Sequence, residues 1–101
     1  MVIKIMPNDK NSSSGKLADA ELHFTDGALN GLRLLGFAVW EPKKSGDNRT
    51  VSFPARSYSV NGERRNFALL RPVNDPHSQH AIKELVLQAY ADFEARAAIA
   101  S

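Results

Sequence analysis

The chain has 101 residues, of which 43% are hydrophobic and none is cysteine, and its formal net charge is +2. This length suits one domain with a modest core. The absence of cysteine excludes disulfides, thiolate metal sites and thiol catalysis. The first apolar run is interrupted by Lys4 and ends at Pro7, which is too short for a signal peptide or a membrane span. We therefore expect a cytoplasmic protein.

The basic residues are concentrated in the middle of the chain. From Lys43 to Arg71 there are seven basic and two acidic residues, a charge of +5, whereas the remainder carries six basic and nine acidic residues, a charge of −3. A basic segment can attract the phosphates of nucleic acids. The alternative is a solvated strand surface with scattered arginines.

The first half of the chain predicts an arm and two strands. Residues 1–15 are expected to be a flexible arm, because 7–15 are polar and rich in turn-forming residues. From Lys16 to Phe24 apolar and polar side chains alternate, which predicts a half-buried strand, and two turn dipeptides follow it. The apolar run 32–40 predicts a central strand covered by a helix on one face and by a second subunit on the other.

A second pair of strands is predicted to form a hairpin. One strand covers 50–56, where Pro54 cannot donate a ladder hydrogen bond and so indicates an edge or a bulge. Asn61-Gly62 predicts the tight turn, and the next strand covers 64–71. Gly36, inside the preceding strand, predicts either a bulge or the close approach of another segment.

The C-terminal part predicts one helix. Asp75 is a suitable N-cap and Pro76 fits the first helical position. Apolar side chains spaced three and four apart predict its buried face: Ile82, Leu85, Val86, Ala89, Tyr90 and Phe93. Leu87 lies off the centre of this face, and the tail 96–101 is expected to fray. The predicted fold is a single α+β domain over 16–95, an antiparallel meander of about four strands packed by this helix.

No motif in the sequence predicts catalysis. His77 and His80 are three residues apart in the first helical turn, but exposed polar residues at a helix start explain them better than a metal site. The glycines match neither of the common phosphate-binding loops. We therefore predict no enzyme, no cofactor and no metal site.

The candidate binding residues lie mostly around the hairpin. Guanidinium groups near its loop end can bind phosphates bidentately, and Tyr58 can stack on a base. The alternative is that the arginines pair with Glu63 or with other carboxylates and that Tyr58 lies over the sheet. The candidate phosphate-binding residues are Arg56, Arg64, Arg65, Lys43, Lys44 and Lys83.

Four short motifs, in this order and spacing, resemble the stage V sporulation protein G (SpoVG) family of septation regulators. They are a strand with a Pro-x-Arg step, a Gly-Glu-x-Arg turn, a Pro-Val-Asn step and a helix with regularly spaced Ile, Val-Leu and Tyr, at 51–56, 61–65, 71–74 and 82–90. The resemblance implies a small dimeric α+β protein that binds DNA or RNA and acts as a regulator.

A second functional class remains open. The chain can instead be a dimeric protein–protein interaction module without nucleic-acid binding. Such a module would use the apolar strand 32–40 and the Leu87 edge of the helix.

Overall fold

The computed structural model describes residues 1–8, 15–44, 46 and 48–100, with only the backbone at Ala100. Within these residues the chain forms two antiparallel sheets and one long helix, α1, at His77–Ala100, which confirms the predicted α+β fold. The strands are β1 (Val2–Pro7), β2 (Lys16–His23), β3 (Arg33–Trp40), β4 (Thr50–Ser52), β5 (Ala55–Val60) and β6 (Glu63–Ala68).

The main sheet has the strand order β1-β2-β3-β4, and β5 pairs only with β6. The flexible arm predicted over 1–15 is wrong for Val2–Pro7, because β1 pairs with β2 along its whole length. Ile3 and Ile5 lie opposite Leu22 and Ala20 and pack against the core, so burial of these two side chains holds the strand in place. Residues 9–14 of that prediction lie outside the described residues.

The strand predicted over 50–56 is interrupted, because β4 ends at Ser52 and β5 begins at Ala55. Pro54 between them is buried and packs against Gly36, where an added Cβ would lie 2.8 Å from the Cβ of Pro54. The φ angle of Gly36 is +105°, and the pairing of β3 with β2 shifts register beside it. The bulge and the close approach, predicted as alternatives for Gly36, therefore occur together.

The core lies between α1 and one face of the main sheet. Its largest fully buried side chains are Phe37, Leu22, Val39 and Val86, and the ring of Phe53 lies 5.2 Å from that of Phe37, centroid to centroid. These side chains come from β2, β3 and α1, together with the link after β4. The four-stranded sheet is therefore one half of a two-layer domain.

The helix is rotated slightly from the predicted orientation. Leu85, placed on the buried face by its spacing, is 47% exposed, whereas Leu87 packs against the core. Asn48 and Arg49, just before β4, line a depression together with Leu87, and Arg49 forms a bidentate ion pair with Glu94 at 2.6 and 2.9 Å. Contacts from this segment therefore lie on the Leu87 side of the helix.

Both ends of α1 have local causes. The Asp75 carboxylate accepts a hydrogen bond from the His77 backbone N–H at 3.0 Å, which confirms the predicted N-cap. The tail expected to fray over 96–101 is helical through Ala100, on residues of high helix propensity, and Ser101 lies outside the described residues. Within the described residues no helix has the length and apolarity needed to cross a membrane.

Candidate nucleic-acid interface

Strands β5 and β6 and their turn form a two-stranded ribbon, residues 55–68, that projects from the main sheet. Asn61 and Gly62 have φ angles of +52° and +82°, as a type I′ turn requires, which confirms the predicted hairpin. Every residue of both strands is exposed except Ala68, which is half-buried. At the base of the ribbon the Leu69 N–H donates to the Pro54 carbonyl at 2.9 Å.

The register of the ribbon decides which side chains share a face. Directly opposite residues of an antiparallel pair point to the same side, so Tyr58 lies beside Arg65 and Arg56 lies beside Phe67. The Arg71 guanidinium extends this face, since it lies 4.3 Å from the centroid of the Phe67 ring. We name these five residues the arginine–aromatic face.

Arg64 lies on the opposite face, across from Ser59. The expectation that Arg56, Arg64 and Arg65 form one cluster is therefore wrong for Arg64, because neighbouring strand residues point to opposite sides. Arg56 and Arg65 lie on the same face.

The arginines of the ribbon differ in their internal partners. Arg65 Nη2 lies 3.3 Å from Glu63 Oε2, with side chains 56% and 74% exposed. An exposed pair of this kind contributes at most about 1 kcal/mol, so a ligand phosphate can replace it. Arg56 and Arg64 form no ion pair with the described residues.

The three candidate lysines belong to other elements of the fold. Lys43 and Lys44 are exposed in the loop after β3, beyond the point where Trp40 pairs with Thr50. Lys83 is half-buried on α1, in a depression that Val51 and Phe53 also line. None of the three lysines therefore belongs to the ribbon.

A polar cluster that the sequence did not indicate lies on the face of the main sheet away from α1. Glu21 is only 9% exposed there, and its Oε1 lies 2.9 Å from His23 Nε2 and 3.5 Å from Arg33 Nη1. The hydrogen bond from His23 and the charges of Arg33 and Lys4 hold the pKa of Glu21 below its usual value, against the opposing effect of burial. Alternation along β2 predicted only that this face of the sheet is exposed to solvent.

The lowered pKa of Glu21 predicts a loss of stability in acid. A carboxylate with a folded-state pKa below its unfolded value stabilises the fold at neutral pH, and this contribution disappears as the pH falls through the folded-state pKa. We expect Glu21→Gln to be less stable than the wild type at pH 7 and to lose less stability on going to about pH 3. Urea denaturation at both pH values measures this, with Glu63→Gln, which removes an exposed carboxylate, as the control. Equal behaviour of the two variants would contradict the prediction.

Comparison with known proteins adds no identification. No family model, no curated protein and no solved structure matches this chain. The SpoVG resemblance therefore stays a prediction, and the functional argument rests on the geometry of the ribbon.

Proposed function

We propose that the chain is a small regulatory protein that binds single-stranded nucleic acid through the arginine–aromatic face. The supporting observation is the register of the ribbon, which aligns Arg56 and Arg65 with Tyr58 and Phe67 on one exposed surface. Arg71 adds a third guanidinium beside Phe67.

Guanidinium groups and rings in alternation suit a strand with unpaired bases. Guanidinium groups bind phosphate oxygens in a planar, bidentate geometry. Tyr58, which is 42% exposed, and Phe67, which is 46% exposed, offer ring surface to bases. Bases in a duplex are stacked on each other and cannot use these rings, so single strands are favoured. Contacts to phosphates and ring faces carry little sequence information, which predicts weak sequence preference.

The double variant Arg56→Gln/Arg65→Gln tests this proposal. We expect it to weaken binding to single-stranded oligonucleotides at low salt by about tenfold or more, because two charge-assisted contacts are lost. If all three guanidiniums of the face bind phosphates, log Kd should depend on log salt with a slope of about 2 for the wild type, and the slope should fall by roughly 1.4 in the variant. Fluorescence anisotropy over a salt series measures both quantities.

Two single variants are matched controls for charge. Arg64→Gln removes a guanidinium from the other face of the ribbon, and Arg96→Gln removes one from the exposed end of α1. Both should change the affinity less than either single change on the arginine–aromatic face. No binding of DNA or RNA oligonucleotides at low salt, or equal losses in all variants, would refute the proposed interface.

A second candidate function is self-association, and the exposed surface of the chain favours it. The accessible surface is 7681 Å² for a mass of 11.1 kDa, whereas a compact monomer of that mass exposes about 5,700 Å². The radius of gyration is 15.3 Å, compared with about 13 Å for a compact chain of this length. A standard interface buries about 800 Å² on each partner, so the excess is large enough to supply one.

Two leucines at the start of the apolar run 32–40 test the dimer without disturbing the ribbon. Leu32 is 58% exposed and Leu35 is 51% exposed. If a second copy covers them, Leu32→Asp/Leu35→Asp should weaken dimerisation by about a hundredfold, since each substitution buries a charge at the interface. Light scattering across a concentration series measures this, and Leu85→Asp on α1 is the control. A monomeric wild type, or a dimer that tolerates the double variant, would exclude this interface.

A further inference from the structure

A cavity of about 310 Å³ opens between the end of the main sheet and the start of α1. This volume is at the lower end of the range for small-molecule sites. The side chains that form its apolar wall are Met1, Leu22, Phe24, Leu34, Leu70 and Ile82.

The outer wall of the cavity is held in a defined position. It consists of the segment after β6, and the Gln79 side-chain amide donates a hydrogen bond to the Leu70 carbonyl at 2.9 Å. That bond joins the segment to the first turns of α1. The amide of Gln79 is thereby engaged in supporting the wall, which leaves the interior apolar.

The charge on the side chains that line the cavity is positive. Arg71 is the only charged side chain among the residues that line it, all of which are described, and no carboxylate lines it. Arg71 is exposed and lies over the Phe67 ring, so its guanidinium can reach a ligand at the mouth without leaving a buried partner unpaired. A guanidinium at the mouth of an apolar cavity matches a molecule with an apolar body and a carboxylate head.

We propose that this cavity binds a small carboxylic acid with an apolar body, such as a medium-chain fatty acid, with the carboxylate on Arg71. The apolar body occupies the space between Leu22, Leu34 and Ile82. Because Arg71 also belongs to the arginine–aromatic face, the carboxylate and a nucleic-acid phosphate compete for its guanidinium. Binding is therefore measured on the chain alone, so that failure of this proposal is distinct from failure of the proposed function.

The experiment uses octanoate and, as a neutral probe of similar length, octanol. Titration followed by amide chemical shifts should place octanoate at Leu22, Leu34 and Ile82, with a Kd between about 10 µM and 1 mM, as expected for a ligand of this size. Octanol should bind about tenfold more weakly, because it lacks the charged head. No shifts at the cavity amides up to about 10 mM octanoate, or equal affinity for the two probes, would overturn the proposal.

Two variants test the contact with the carboxylate and the contact with the apolar chain of the ligand separately. Arg71→Gln should weaken octanoate binding by about tenfold and remove the preference over octanol, whereas Arg64→Gln, on the far face of the ribbon, should change neither. Ser78→Phe places a ring at the cavity mouth from an exposed position and should block both probes. Thermal unfolding of each variant verifies that it folds. Unchanged octanoate binding in Ser78→Phe would overturn the proposal, and a change in molecular mass by light scattering in that case would assign the cavity to a second copy of the chain.

Discussion

Gly36→Ala is expected to lower the free energy of unfolding by about 2–6 kcal/mol. One part is backbone strain, because an L-residue at a φ of +105° is disfavoured by roughly 1–3 kcal/mol. The other part is collision, since the new methyl group would lie 2.8 Å from the Cβ of Pro54, and overpacking of this kind costs about 1–3 kcal/mol. Urea denaturation followed by far-UV circular dichroism measures the total.

Gly31→Ala separates strain from collision. Gly31 has a φ of +88°, but an added Cβ there has no neighbouring atom within 4 Å. We expect this variant to lose only the strain, about 1–2 kcal/mol. If both variants lose the same stability, Pro54 does not pack against Gly36 in solution. The chain would then enter the ribbon by a path different from the one in the structure.

Phe37→Ala is expected to cost about 3–5 kcal/mol, because it removes a fully buried ring from the centre of the core and leaves a cavity beside Phe53. A domain of this length has a total stability of roughly 5–15 kcal/mol. The variant should therefore be partly unfolded at moderate temperature. Chemical denaturation measured by fluorescence of the single tryptophan, Trp40, gives the change.

The matched control is Phe67→Ala on the ribbon. Phe67 is 46% exposed, so its removal should cost less than about 1 kcal/mol. A loss comparable to that of Phe37→Ala would mean that Phe67 is buried in solution. Such a result would favour the dimer over a ribbon that is free to bind nucleic acid.

Much of the fold follows from local patterns in the sequence. The alternation from Lys16 onward defines β2, the Asn61-Gly62 dipeptide defines the ribbon turn, and Asp75 begins the helix. Local patterns fail where contacts between distant parts of the chain determine the structure. The strand predicted over 50–56 breaks because Pro54 packs on Gly36, and Leu87, off the centre of the predicted face, is half-buried against the core while Leu85 is exposed.

Only part of the candidate site could be predicted from the sequence. A two-residue turn fixes the register, and the register alone is enough to separate Arg64 from Arg56 and Arg65. Alternation along the predicted strand places Arg71 on the side of Phe67, but their contact at 4.3 Å also depends on the bend after β6. The Glu21 cluster also depends on tertiary structure, because His23 and Arg33 meet there only through strand pairing.

The attachment of the ribbon at its base, through 53–54 and 69–76, has a consequence for amide hydrogen exchange. Both faces of the ribbon are open to water, so its cross-strand hydrogen bonds can break while β2 and β3 stay intact. Its amides should therefore exchange with deuterium far sooner than those of the central strands. Any molecule that occupies the ribbon would slow this exchange locally, which makes deuterium uptake at 55–68 a direct map of occupancy.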